Sequence, residues 1–162
     1  MISVVILEDD PIFRDMLLDM LPKATIKTNL LATCSTIRQA KEAIEQFSPQ
    51  LVLLDVELPD GKGMELLTHY DEFGSFETIF ITSHDKYAID AIKKNAADYI
   101  VKPVKQTELN EALTKVQKRL DIYSKLLKVE ELTAYVDKLK QQNLQENKIM
   151  INTNEGAIFI KV

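Results

Sequence analysis

The sequence predicts an α/β fold: a doubly wound, five-stranded parallel sheet with helices on both faces, followed by a helical extension. Short apolar runs alternate with helical patterns at a spacing of roughly 20–25 residues, as they do in parallel α/β domains. The central runs are continuously apolar, which is typical of strands covered on both faces. With 162 residues, 46% of them hydrophobic, the chain can bury a core of this size.

The predicted strands are apolar runs of four or five residues: Ser3–Leu7, Thr28–Ala32, Leu51–Leu54, Thr78–Ile81 and Asp98–Val101. Helical spacing of apolar residues predicts five helices: Pro11–Leu21, Ile37–Phe47, Met64–Phe73, Tyr87–Asn95 and one from Glu108 onward. Pro11 suits the first turn of its helix. Ser35 and Thr107 are the predicted N-caps of the second and fifth helices.

The last predicted helix is unusually long, because residues 107–147 contain neither Gly nor Pro. Its first half is expected to pack on the sheet. Past Leu120, a second apolar series has no predicted element to cover it: Val129, Leu132, Val136 and Leu139. This half either folds back on the domain or pairs with another chain. We expect it to pair as a coiled coil, which would make the protein a homodimer.

Residues 148–162 form two β-like runs around Asn154-Glu155-Gly156, a hairpin pattern. Two strands alone are marginally stable in water, so we expect them to open a further domain. The predicted organisation is therefore a sheet domain (residues 1–122), a helical linker (123–147) and the start of another domain (148–162).

Composition excludes several classes of protein. The net charge of −5 is an ordinary balance and argues against a nucleic-acid-binding surface over the whole chain. One cysteine, Cys34, excludes an internal disulfide framework and a cysteine-only metal site, and its apolar surroundings favour a buried position. No apolar stretch approaches the roughly 20 residues that span a bilayer, and the first run lacks the features of a signal peptide. We expect a cytoplasmic protein with no membrane partner.

Carboxylates end two of the predicted strands. Glu8, Asp9 and Asp10 follow the first strand, and Asp55 follows the third. In a parallel sheet both sets lie at the carboxyl edge, so the acids should converge. Clustered carboxylates favour a hard divalent cation such as Mg²⁺. A carboxylate beside bound Mg²⁺ can act as a nucleophile toward phosphorus, which predicts aspartyl-phosphate chemistry at Asp55.

Two further polar residues follow the remaining strands. Thr82 ends the run FITS, and Lys102 ends the run YIVKP. Phosphoryl transfer requires neutralisation of the phosphoryl oxygens, for which Lys102 offers charge and Thr82 a directional hydroxyl donor. The alternatives are an ordinary helix cap for Thr82 and a solvated surface residue for Lys102.

Taken together, the acidic pair, Asp55 with its LPDGKG neighbourhood, FITS and YIVKP resemble the receiver domain of two-component response regulators. The resemblance extends from Ile2 to about residue 122. It implies a flavodoxin-like sheet with strand order 2-1-3-4-5, Mg²⁺ as cofactor and a sensor histidine kinase as partner. It also implies a signalling module rather than a conventional enzyme.

The stretch FITSHDKYAIDAIKKNAADYIVKP is similar to receivers of the LytTR subgroup, in which a β-rich DNA-binding domain follows. The segment KIMINTNEGAIFIKV is similar to the first strands of that domain. This resemblance implies that DNA is contacted only through a C-terminal domain of which the chain holds the start.

The receiver resemblance implies a role for each matching residue of the metal site. Asp55 would be the phosphoacceptor. Asp9 would bind Mg²⁺ directly and Glu8 through water, with the backbone carbonyl of Glu57 as the remaining protein ligand. Glu8 replaces the commoner Asp of the acidic pair and reaches further.

The resemblance also implies a switch. Thr82 would hydrogen-bond a phosphoryl oxygen, and Lys102 would form a salt bridge first to Asp55 and then to the phosphoryl group. Tyr99 would change orientation when Thr82 moves. In the family, the face built from Tyr87–Asn95, the fifth strand and the start of the last helix commonly pairs on phosphorylation, a second route to a homodimer.

Two other functions remain open. An aspartyl-phosphate phosphohydrolase would read DxDGT, whereas Asp55 is followed by Val-Glu-Leu-Pro. A phosphorylation-independent dimerisation module would not need the complete set of acids, Thr82 and Lys102. His69 and His84 are interpreted as non-catalytic, although His84 borders the site.

Overall fold

The computed structural model describes residues 1–70, 76–84, 91, 95–146, 148–153 and 156–161. Its strands, in chain order, are β1 (Ile2–Leu7), β2 (Thr28–Cys34), β3 (Leu51–Leu54), β4 (Glu57–Leu58), β5 (Gly61–Lys62), β6 (Glu77–Thr82), β7 (Asp98–Val101), β8 (Lys148–Thr153) and β9 (Gly156–Lys161). Its α-helices are α1 (Pro11–Met20), α2 (Ile37–Phe47), α3 (Met64–His69) and α4 (Gln106–Glu146), with a 3-10 turn at Leu21–Lys23.

Five strands form one parallel sheet in the order β2-β1-β3-β6-β7. The two-residue strands β4 and β5 pair only with each other. They lie between the third and fourth long strands in sequence, so β6 and β7 are the predicted fourth and fifth strands. The predicted order 2-1-3-4-5 and the flavodoxin-like α/β fold are therefore confirmed.

The sheet separates two apolar cores, and β1 contributes to both. Ile2, Val4 and Ile6 pack into one core, whereas Val5 and Leu7 pack into the other. Side chains alternate between the faces of a strand, so a strand covered on both faces is apolar at nearly every position. The first core includes α1 and the first part of α4, and the second includes α2 and α3.

Two predicted helix caps are wrong. The N-cap of α2 is Thr36, whose hydroxyl accepts the Gln39 amide at 3.2 Å, while the Ser35 amide donates to the Gln39 side chain at 2.8 Å. Both residues can cap, and this reciprocal pair selects Thr36. The last helix begins at Gln106, so Thr107 lies inside its first turn.

Several predicted boundaries also differ from the observed ones. β2 extends to Cys34, and α1 ends at Met20, one residue early. Tyr70 is the C-cap of α3, and the rest of the helix predicted there lies outside the described residues. Most of the helix predicted at residues 87–95 lies outside them too.

The chain divides into two compact units, Met1–Asp121 and Ile122–Val162. In the first unit, α4 buries one apolar series completely: Leu109, Ala112, Leu113 and Val116. The second unit holds the rest of α4 and the antiparallel pair β8–β9, which matches the predicted hairpin. In the part of the chain that the structure describes, no helix has both the length and the apolar character to cross a membrane.

Candidate functional site

The loops after β1, β3, β6 and β7 meet at the carboxyl edge of the sheet. The Asp55 amide donates to the carbonyl of Leu7 at 2.9 Å, and the Lys102 amide donates to the carbonyl of Thr82 at 2.9 Å. These bonds continue the parallel ladder one residue past each strand end. They fix where the side chains that follow the strands emerge, and so bring the predicted site residues to one edge.

Lys102 joins two of these acids. Its Nζ lies 2.7 Å from Glu8 Oε2 and 2.8 Å from Asp55 Oδ2. The side chains of Lys102, Glu8 and Asp55 are only 5%, 2% and 10% exposed, so the contacts are largely shielded from water. The Nζ also lies 4.1 Å from the centroid of the Phe13 ring, a favourable cation–π distance.

Burial and pairing shift the pKa values of this group. Burial raises the pKa of Glu8, although the Lys102 ammonium opposes the shift. Burial acts to lower the pKa of Lys102, but its hydrogen bonds and charge pairing with Asp55 and Glu8 outweigh burial, so the pKa is raised. Lys102 therefore stays charged at neutral pH and neutralises a site that would otherwise hold adjacent carboxylates.

A third acid completes a possible cation site. Glu8, Asp9 and Asp55 each offer a carboxylate oxygen, and these oxygens all lie within 4.8 Å of one another. Asp9 is exposed, whereas Glu8 and Asp55 are buried. Asp10 instead caps α1, because its Oδ1 accepts a hydrogen bond from the Ile12 amide at 2.8 Å. Three oxygen donors with one side open to water suit Mg²⁺, which keeps several of its waters in proteins.

Thr82 lies at the end of β6 and is completely buried. Among the described residues, its Oγ1 has no hydrogen-bond partner. A buried hydroxyl without a partner costs about 1–3 kcal/mol, so such groups are rare without a reason. This hydroxyl is a candidate to bind a polar group at the carboxyl edge.

Tyr99 lies on β7, next to the strand that carries Thr82. It pairs with Phe80 across the two strands, and the two rings are tilted with centroids 6.2 Å apart. The Tyr99 hydroxyl donates to the backbone carbonyl of His84, in the loop that follows Thr82. The half-buried tyrosine thus connects β7 to the β6 loop.

Glu57 and His84 face each other beside Asp55. The Glu57 amide donates to Asp55 Oδ1 at 3.3 Å, and the Glu57 carboxylate contacts His84 Nε2 at 2.9 Å. The Glu57 backbone carbonyl, predicted as a metal ligand, belongs to the same residue. His84 was interpreted as non-catalytic, and nothing local in the sequence indicates its contact with Glu57 across two loops.

Asp60 and Gly63, both in the LPDGKG segment, have structural roles that the sequence did not indicate. Asp60 accepts the amides of Ile37 at 2.9 Å and Arg38 at 3.2 Å, which satisfies two donors at the start of α2. The small burial of Asp60 acts to raise its pKa, but these backbone hydrogen bonds outweigh it and lower the pKa. Asp60 thereby anchors the loop after Asp55 to α2.

Gly63 is required by a close approach rather than by its backbone angles. A Cβ at this position would lie 2.1 Å from the carbonyl oxygen of Asp55 and 2.7 Å from Leu54 Cδ1. The φ angle of −54° is open to any residue, so the restriction is steric. The Gly63 amide donates to the Val56 carbonyl at 2.7 Å, which closes the loop tightly around Asp55.

The residues of this edge belong to a segment that matches a known protein family. Residues 4–114 match the family model described as the response regulator receiver domain. The chain belongs to the response regulator receiver family. It is therefore the receiver of a response regulator in a two-component system, and receivers act as signalling modules.

Individual relatives agree with the family. The chain is 32% identical over 120 residues to an uncharacterised response regulatory protein of Shewanella oneidensis, covering 74% of this chain and 50% of the relative. It is 30% identical over 163 residues to an uncharacterised response regulatory protein of Vibrio vulnificus, covering 97% of this chain and 64% of the relative. The chain thus spans between half and two thirds of the length of these curated relatives.

A solved structure shows the same fold. The crystal structure of a DNA-binding response regulator of the LuxR family from Staphylococcus aureus aligns with a TM-score of 0.64 at 25% identity. The alignment covers 72% of this chain and 98% of that chain.

Proposed function

We propose that this receiver accepts a phosphoryl group on Asp55 from a sensor histidine kinase, with Mg²⁺ as cofactor, and passes the signal to a C-terminal output domain. One observation carries the proposal. The Asp55 carboxylate is held at the carboxyl edge by Lys102 at 2.8 Å, with two further acids within 4.8 Å. At the next strand end lies the Thr82 hydroxyl, which lacks a hydrogen-bond partner among the described residues.

The residues divide the chemistry between them. Asp9 and Asp55 would bind Mg²⁺ through their carboxylates, Glu57 through its backbone carbonyl and Glu8 through water. When bound, Mg²⁺ supplies positive charge that offsets the charge of the phosphoryl oxygens. Asp55 is the nucleophile.

Lys102 and Thr82 serve the phosphorylated state. Lys102 exchanges its contact with the free Asp55 carboxylate for one with a phosphoryl oxygen. The Thr82 hydroxyl donates to another phosphoryl oxygen and so gains the partner that it lacks among the described residues. That new bond moves Thr82, and Tyr99 follows because it is tied to the loop after β6 through the His84 carbonyl.

The signal then reaches the face that contains β7 and the start of α4. In its described part, Lys115 on α4 and Asp98 on β7 form an ion pair of 2.7 Å. Phosphorylation would shift this face between two populated states, one of which pairs with a second receiver. A partly exposed ion pair contributes little stability, so this face can rearrange at low cost.

The hairpin β8–β9 is proposed to open a LytTR-like DNA-binding domain, so that DNA is contacted only through that domain. The S. aureus structural relative is named as a DNA-binding response regulator, which supports a transcriptional output. We propose a cytoplasmic, homodimeric transcription regulator.

The test is phosphorylation with a small phosphodonor. Intact-mass analysis after incubation with acetyl phosphate and Mg²⁺ should show one phosphoryl adduct, which Asp55→Asn should lack. An adduct that persists in Asp55→Asn would place the nucleophile elsewhere. Rapid turnover of acetyl phosphate would favour the phosphohydrolase, and an inert chain would favour the dimerisation module.

Substitutions of Asp9 and of its neighbour Asp10 provide a test of the Mg²⁺ site and its matched control. Millimolar Mg²⁺ should raise the melting temperature, since a ligand that binds only the folded state stabilises it by mass action. Asp9→Asn should remove this increase. Asp10→Asn should retain it, because Asn is an equally good cap for α1. Equal responses of the two variants would contradict the metal assignment.

A further inference from the structure

The second half of α4 carries an apolar stripe, defined as Ile122, Val129, Leu132, Val136 and Leu139. These side chains are between 42% and 63% exposed, which is unusual for five large apolar residues of one helix. The stripe does not continue the buried series of α4. That series runs with 4-3-4 spacing through Leu109, Leu113, Val116 and the partly buried Leu120, and its next members would be Tyr123 and Leu127 rather than the residues of the stripe.

The stripe has the seven-residue repeat of a coiled coil. Ile122, Val129 and Val136 are seven residues apart and occupy the a positions, whereas Leu132 and Leu139 occupy d positions. β-Branched residues at a combined with Leu at d favour parallel, two-stranded coiled coils. We propose that the stripe is covered by the same stripe of a second copy of this chain, parallel and in register.

The charges of the segment agree with a second copy as the partner. Residues 122–140 carry four lysines and three acids, so two copies meet without strong net repulsion. All three acids and three of the four lysines lie outside the a and d positions, where they stay in water. A partner selected by charge would instead need a segment of one dominant sign.

One polar residue fixes the register. Lys125 occupies the d position between Ile122 and Val129. In a parallel, in-register pair it meets its own copy, and both ammonium groups can extend to solvent at the edge of the seam. In a shifted or antiparallel pair it would face apolar layers, so this residue disfavours those arrangements at some cost in stability.

Paired charge variants test the interface on the full chain, without Mg²⁺ or phosphodonor. The pairing does not depend on Asp55, so its failure is separate from failure of the phosphorylation proposal. Val129→Glu/Val136→Glu should weaken the dimer at least tenfold in sedimentation or light scattering at tens of micromolar, because like charges meet within each layer. Leu127→Glu/Ala134→Glu adds the same charges at the same spacing on the outer f positions and should leave the dimer intact.

Because all four positions of these variants are exposed, the substitutions should not unfold the receiver, which circular dichroism checks. Weak specific interfaces form at concentrations on the order of 100 micromolar. A wild-type chain that stays monomeric at that concentration would overturn the proposal. Equal effects of the two double variants would overturn it too.

Disulfide trapping tests the orientation. Val129→Cys should cross-link quickly to its own copy under mild oxidation, since the two a positions of one layer face each other. Leu127→Cys, at an f position, should not. The native Cys34 is buried and does not compete. A dimer that forms but does not cross-link at position 129 would refute the parallel, in-register arrangement.

Discussion

Lys102→Met is the sharpest test of how the candidate site is balanced. Methionine keeps most of the length and volume of lysine but removes the charge, so Glu8 and Asp55 are left without the ammonium that contacts them at 2.7 and 2.8 Å. Their carboxylates, with that of Asp9, lie within 4.8 Å. At that distance and an effective dielectric constant of about 20, the repulsion of one carboxylate pair is about 3.5 kcal/mol.

Protonation of one carboxyl limits how much stability the substitution can cost. The protein can relieve the repulsion by keeping one carboxyl protonated, and Glu8 is the natural choice because burial already raises its pKa above the ordinary 4.5. Protonating a carboxyl of that ordinary pKa at pH 7 costs about 2.5 pH units times 1.36 kcal/mol, or about 3.4 kcal/mol. We therefore expect Lys102→Met to lower the free energy of unfolding by about 3 kcal/mol, close to the usual cost of breaking a buried ion pair.

Urea unfolding followed by circular dichroism measures this change. Lys105→Met is the matched control, because Lys105 lies three residues away with its side chain 71% exposed in a surface pair with Glu108. It should change the free energy of unfolding by less than about 0.5 kcal/mol. Mg²⁺ should stabilise Lys102→Met more than the wild type, because the variant lacks the Lys102 ammonium, which repels the cation. Equal stability of the two variants, or equal Mg²⁺ effects in variant and wild type, would refute this account.

Two other substitutions test a buried ion pair at the start of β6, at the opposite edge of the sheet from the site, and the loop that follows Asp55. Arg119→Met should lower the free energy of unfolding at pH 7.5 by about 2–3 kcal/mol, because the substitution leaves the buried Glu77 carboxylate without its partner at 2.9 Å. This value is reduced from the usual cost of breaking a buried ion pair, because Arg119 is partly exposed. Burial raises the pKa of Glu77 and Arg119 opposes the shift, so the variant should raise that pKa further. A carboxyl whose pKa is raised in the folded state loses its contribution to stability as the pH rises through that pKa. The difference in free energy of unfolding between wild type and Arg119→Met, measured by urea unfolding, should therefore shrink toward pH 5. A deficit that does not change with pH would show that Glu77 is not its cause. Gly63→Ala should cost about 2–3 kcal/mol by overpacking, and it should slow phosphorylation because the new methyl group displaces the Asp55 carbonyl. Unchanged stability together with an unchanged rate of adduct formation would contradict the steric argument.

The sequence by itself determined the fold class and the edge at which the site forms. Continuous apolar runs such as Leu51–Leu54 identified strands buried on both faces, and their alternation with helices fixed a parallel sheet. Since parallel strands end at one edge, the position of each polar residue in the chain was enough to predict that Glu8, Asp55 and Lys102 converge there. That inference needs only periodicity and chain order, both of which are local properties.

The tertiary structure alone decided which atoms meet. The receiver resemblance implied a contact of Lys102 with Asp55, but the bridge to Glu8 depends on the register of β1 beside β3. Asp60 reaches the start of α2 from 23 positions along the chain, and His84 reaches Glu57 from 27. Distances between separate loops follow from strand register and helix packing, and these are set by the whole core rather than by any segment. For the same reason the N-cap of α2 could not be chosen from two adjacent residues that both have capping side chains.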